Sequence, residues 1–249
     1  MRKGIYLLPN TVTLCGMFFG FYAIMSTFKG QYVHGAWAIL AAVIFDGLDG
    51  WVARMTNTAT KFGIQLDSLS DLIAFGVAPA VLIYGWGLNE FGRVGWGACF
   101  FYVVCGALRL ARYNVQKDTA ESKAFTGLPI PGAATMIATL ILFHSEMWGG
   151  VPPLKSYTLM VLPFLLAALM VSTFTYHGIK EVSTKQGTPF WFLVGVVTAL
   201  AFIFMYPEIV MFILSAIYVS WGILEGFYRL FKGKRSNISK SNKAVDREE

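Results

Sequence analysis

Between residues 46 and 71 the chain reads DGLDGWVARMTNTATKFGIQLDSLSD, which sets four carboxylates, Asp46, Asp49, Asp67 and Asp71, within strongly apolar sequence. At 100° per helical residue, Asp46, Asp49, Gly50 and Ala53 fall within an arc of about 100°, so two acids share a face with two very small side chains. Asp67 and Asp71 are four apart and share a second face, with Gly63 one turn earlier if the helix begins there. A carboxylate at mid-bilayer costs on the order of 3 kcal/mol on insertion scales, and four crowded together also repel one another. Such a group requires positive charge among its members. Hard oxygen donors with no histidine or cysteine nearby favour Mg²⁺ or Mn²⁺ over zinc, and four aspartates from two helices are enough for two ions. Paired cations held by carboxylates clamp a phosphoryl group, stabilising both the attacking and the leaving oxygen. Gly50, Ala53 and Gly63 leave room for a bulky ligand against the helix backbones.

The elements that must carry these acids are membrane helices. The chain has 249 residues, 56% of them hydrophobic and 14% charged, with a mean hydropathy of +0.58. That composition excludes an ordinary water-soluble domain and predicts an all-α integral membrane protein. Eight candidate spans follow, at about 10–28, 33–53, 66–86, 94–112, 130–148, 157–175, 188–206 and 209–228. The first is a retained span, since no small-residue cleavage site follows the basic start. An even number of spans puts both termini on one side. Of the 20 basic residues, 17 then share that side, leaving only Lys29, Arg93 and Lys155 opposite. The positive-inside rule makes that side cytoplasmic in a multi-pass cell-membrane protein, with both termini and the acid-rich stretch facing the cytoplasm. The net charge of +6 therefore reflects orientation and attraction to anionic lipid, not nucleic acid. Residues 1–231 form a single polytopic domain, and 232–249 a polar cytoplasmic tail with the composition of a disordered segment. Cys15, Cys99 and Cys105 have no metal or disulfide spacing and are packing residues. Trp37, Trp86, Trp96 and Trp148 are expected at lipid or at the interface.

The spacing Asp46-x2-Asp49-Gly50-x2-Ala53-Arg54-x8-Gly63-x3-Asp67-x3-Asp71 resembles the complete signature of the CDP-alcohol phosphatidyltransferases, fixing eight residues across 26 positions. The resemblance implies the helical CDP-alcohol phosphotransferase fold and a homodimer. It implies that Asp46, Asp49, Asp67 and Asp71 hold two divalent ions, Mg²⁺ or Mn²⁺. A CDP-linked lipid would bind through its pyrophosphate, with Asp49, Gly50, Ala53, Arg54 and Gly63 contacting the donor. Asp71 would be the general base that takes the proton of the incoming alcohol.

A second polar island, CGALRLARYNVQKDTAESKAFTGLPIPGAA, is expected on the same side of the membrane. With the opening LPNTVTLCGMFFGF it resembles the serine-using branch, the CDP-diacylglycerol–serine O-phosphatidyltransferases, over a catalytic core of about residues 8–140. This implies transfer of a phosphatidyl group from CDP-diacylglycerol, or an ether-lipid analogue, to L-serine. Free serine carries a carboxylate and an ammonium, and Arg109 or Arg112 would supply the bidentate cation for the former. Asn114 and Thr126 add hydrogen-bonding capacity, and Gly127 belongs to a restricted Gly-Pro wall. The alternatives are a sibling that uses glycerol 3-phosphate or inositol phosphate and, from another class, a cation transporter. The latter is disfavoured because the aspartate pattern has no second copy.

Overall fold

The computed structural model describes residues 7–56, 60–118, 127–149, 157–172 and 205–224. Among these the secondary structure is entirely helical, as lipid demands: without water, backbone polar groups must be satisfied within each helix. Helix α1 runs over Leu7–Phe28 and turns back at Gly30 into α2, Tyr32–Thr56. The third crossing is continuous from Lys61 to Trp86 but not uniform: α3, Lys61–Asp71, passes into a π-helical stretch, Leu72–Val77, and then into α4, Ala78–Trp86. A 3₁₀ turn at Leu88–Phe91 leads into α5, Arg93–Asp118. Beyond it lie α6, Ile130–Trp148, α7, Tyr157–Val171, and α8, Pro207–Leu224.

The π-helical stretch has a cause in the sequence. Pro79 has no N–H, so the carbonyl four residues earlier, that of Phe75, loses its α-helical partner. The hydroxyl of Tyr102, a fully buried residue of α5, donates to that carbonyl at 3.0 Å. The Ala78 N–H reaches the Ile73 carbonyl in the i→i+5 pattern that widens the turn. On its other side the widened segment meets α1 at Gly20, where a Cβ would lie 2.6 Å from the Ala74 Cα. Small residues at such crossings let membrane helices approach closely, because dispersion contacts must do what the hydrophobic effect does in water.

Six described helices are long and apolar enough to cross a membrane, and α7 is a shorter apolar helix of 15 residues. Six of the eight predicted spans thus have counterparts, and α7 covers most of the one expected at 157–175 without the length to cross. The span expected at 188–206 lies outside the described residues, as does the tail at 232–249. Exposed aromatics such as Phe18, Trp96 and Trp148 form the outer surface expected for lipid. Trp86 departs from that expectation: it is buried and packs edge-on against His144 of α6, at a centroid distance of 5.0 Å.

Candidate metal centre

The last turns of α2 separate lipid-facing from inward-facing residues cleanly. Ile44, Leu48 and Trp51 are exposed, whereas Asp46 is half-buried and Asp49 is buried. Across from them, Thr60 caps α3, its hydroxyl accepting the Gly63 N–H at 3.0 Å. The helix therefore starts at Lys61, earlier than the predicted span at 66, and Gly63, Asp67 and Asp71 stand one above another on successive turns. Phe62 and Leu69 point away from the cluster, and both are exposed.

These two helices bring the four acids together. One carboxylate oxygen from each of Asp46, Asp49 and Asp67 lies within 4.8 Å of the others. Asp71, one turn beyond Asp67 on α3, joins them through a side-chain hydrogen bond with Asp46, while its charge and that of Asp67 repel. Opposite ligands of a Mg²⁺ ion are about 4.2 Å apart, so small side-chain rotations would close the set around a cation. Asp46, Asp49 and Asp71 line an open cleft with Thr13 and Ser70 as polar neighbours and Ala42, Ala74 and Phe75 as an apolar floor. Its lining contains neither histidine nor cysteine. All-oxygen donors of this kind fit Mg²⁺ or Mn²⁺.

Hydroxyls and amides support the acids. The Thr13 hydroxyl of α1 stands within hydrogen-bonding reach of both the Pro9 carbonyl, at 3.1 Å, and the Asp49 side chain, so two acceptors share its single proton. The Gly50 N–H also hydrogen-bonds Asp49. Ser70 donates to the Thr13 carbonyl at 3.0 Å, tying α3 to α1. Asn114 of α5 donates to the Ser68 hydroxyl at 2.8 Å, tying α5 to the same turn of α3. A Cβ at Gly63 would sit 3.2 Å from the Asn10 amide oxygen, so α1 also borders the small-residue face of α3.

Of the residues predicted for an acceptor, Arg109 is buried in α5 within electrostatic range of Asp71. Arg112 is exposed at the end of α5. Gly127 is buried with φ +85°, and a Cβ there would lie 2.3 Å from the Met170 carbonyl oxygen, so glycine is required for packing against α7. Ala53 and Arg54 occupy the last turn of α2, but their side chains lie outside the described residues, as does Thr126 altogether. Sequence reasoning did not single out Thr13 or Ser70. The polar pair Asn10 and Thr13, spaced i, i+3 in an apolar helix, is the signal from which α1's part was readable.

The profile of the CDP-alcohol phosphatidyltransferase family matches residues 6–175. A CDP-diacylglycerol–serine O-phosphatidyltransferase of Helicobacter pylori is 36% identical over 231 residues, which cover 92% of this chain and 94% of that protein. A protein of the same description from Mycobacterium tuberculosis is 35% identical over 198 residues, 68% of this chain and 69% of the relative. An archaetidylserine synthase of Methanothermobacter thermautotrophicus is 42% identical over 144 residues, 56% of this chain and 60% of that protein.

Proposed function

Because the chain belongs to the CDP-alcohol phosphatidyltransferase family, we propose that it transfers the phosphatidyl group of CDP-diacylglycerol to the hydroxyl of L-serine, giving phosphatidylserine and CMP. The observation that carries this reading is the convergence of Asp46, Asp49 and Asp67, joined by Asp71, at one cleft between α2 and α3. The relatives' names agree on serine and differ in the lipid, so the acceptor has more support than the donor's chains.

In this reaction the four aspartates would hold two Mg²⁺ or Mn²⁺ ions. Bound there, the ions would neutralise the diphosphate and the charge that develops on departing CMP. Asp49, Gly50, Ala53, Arg54 and Gly63 form the donor face, where the small side chains let the nucleotide lie against the helices. Asp71 takes the proton of the serine hydroxyl as the new O–P bond forms and the bond from phosphorus to CMP breaks. No covalent enzyme intermediate is needed. Arg109, buried within electrostatic range of Asp71, receives the serine carboxylate, with Arg112, Asn114, Thr126 and Gly127 shaping the rest of the acceptor region. The cleft faces the cytoplasm, where serine and CDP-lipid are both available. The catalytic core spans about residues 8–140, the later spans complete a membrane domain to residue 231, and two copies form a homodimer.

The test is an acceptor and metal panel on purified protein. CMP should be released from CDP-diacylglycerol only when L-serine and Mg²⁺ or Mn²⁺ are both present. Release with glycerol 3-phosphate but not serine would overturn the acceptor and leave the family chemistry intact. An ether-linked donor run in parallel distinguishes the lipid classes.

A further inference from the structure

The turn of α3 that carries Asp67 and Asp71 is tied to its neighbours on two flanks. At about 100° per residue, and with Asp67 as the origin, Asp71 lies at about 40°, Ser68 at about 100° and Ser70 at about −60° around the helix. The two serines therefore bracket the acidic face, each about 60° outside one of its aspartates. Ser70 donates to the Thr13 carbonyl of α1 at 3.0 Å. Ser68 spends its only proton on the Ile64 carbonyl of its own helix, at 3.1 Å, so towards α5 it can only accept, and the Asn114 amide donates to it at 2.8 Å. Leu69 and Phe62, on the far side of the helix, are exposed. Rotation of α3 about its axis is thus restrained at its flanks, by α1 through Ser70 and by α5 through Asn114.

We propose that Asn114 is a positioning residue of the metal centre: through Ser68 it fixes the rotation of α3, and with it the direction of Asp67 and Asp71, so that it sets affinity for the divalent ions rather than for serine. This rests on the reading in which the aspartates hold those ions. A carboxylate oxygen of Asp67 already lies within 4.8 Å of one from each of Asp46 and Asp49. Turning a helix by about 20° moves a side-chain end ~6 Å from its axis by about 2 Å, ten times the ~0.2 Å within which metal–ligand distances must fall. One hydrogen bond that stops such a turn is therefore enough to matter. Asn114 shapes the acceptor region through α3, and α5, which carries Arg109, is coupled by it to the helix of the metal ligands.

Asn114→Leu keeps the size of the side chain and removes its amide. Mn²⁺ binding is read on purified protein without substrates, from the loss of the free-ion EPR signal, and the serine KM is read separately at saturating metal. Asn114→Leu should weaken Mn²⁺ binding about tenfold, the low end for groups that orient metal ligands, with the serine KM changed by less than about threefold. Ser68→Ala should give the same loss, and the double variant no more than either alone, because both break one hydrogen bond. Unchanged Mn²⁺ affinity with a raised serine KM would make Asn114 a serine ligand and overturn the proposal, as would losses that add in the double variant. A parent protein that bound no Mn²⁺ would sink the metal reading itself; a parent that binds it, with both single variants binding as tightly, sinks the role of Asn114 alone.

Discussion

Asp71 differs from the other three acids in its surroundings: it contacts Asp46, lies within electrostatic range of Arg109, and is the last residue before the helix widens. As the base of the proposed reaction it must lose function when its basicity is removed without its shape. Asp71→Asn keeps an oxygen donor, so CDP-diacylglycerol should still bind in an equilibrium assay while CMP release falls by at least ~100-fold, the low end for general-base catalysis. Turnover close to that of the parent would place the base elsewhere. Thr13 makes a subtler claim, because its hydroxyl touches Asp49 and takes no part in the chemistry. Groups that orient ligands are commonly worth ~10-fold to ~100-fold in metal affinity. Thr13→Val should therefore shift the Mn²⁺ concentration for half-maximal activity upward by about tenfold, with activity recovered at saturating metal; an unchanged metal curve would make Thr13 a packing residue. The contrast between these residues explains what was legible. Four acids in apolar sequence are too costly to be incidental, so their role is readable. A lone threonine in a membrane helix satisfies itself by back-bonding in countless chains, and only the fold tells Thr13 from those.

At the scale of elements, the junction of α3 and α4 sets the position of the acids. Asp71 ends α3, and the next turns are held from one side by the Tyr102 hydroxyl and from the other by α1 at Gly20. The sequence announces a crossing here by its hydropathy and a disturbance by Pro79, but the identity of the group that meets the freed Phe75 carbonyl depends on which helix lies alongside. Gly20→Ala puts a methyl where a backbone atom already stands, 2.6 Å from the Ala74 Cα, so α1 must move off the widened segment. Overpacking of this kind costs about 1–3 kcal/mol. Gly97→Ala in α5 is the control, since a Cβ there meets nothing within 4 Å. In detergent melts the Gly20 variant should unfold at distinctly lower temperature than the parent and the Gly97 variant at nearly the same temperature. Equal melting of the two would mean that α1 and the π-helical stretch are not in close contact.

At the scale of the whole molecule, hydropathy located the crossings because span length is dictated by bilayer thickness, and it missed details where the helix itself changes form. The charge pattern adds an orientation. The C-terminal end of α2, the start of α3 and the C-terminal end of α5 meet at the acid cluster, as the link from Asn114 to Ser68 requires. Lys29 and Arg93 stand exposed at the opposite ends of the same helices. If the basic majority marks the cytoplasm, a cysteine at 29 faces outward and one at 112, exposed at the end of α5, faces the cell interior. The experiment uses a chain in which Cys15, Cys99 and Cys105 are changed to alanine, with Lys29→Cys or Arg112→Cys added singly. In intact cells a membrane-impermeant maleimide should label the first variant and not the second, and permeabilised cells should show both. The reverse pattern would turn the acid cluster to the outer face. There cytoplasmic serine and nucleotide-linked lipid have no access, so a single labelling result bears on the orientation and on the proposed chemistry together.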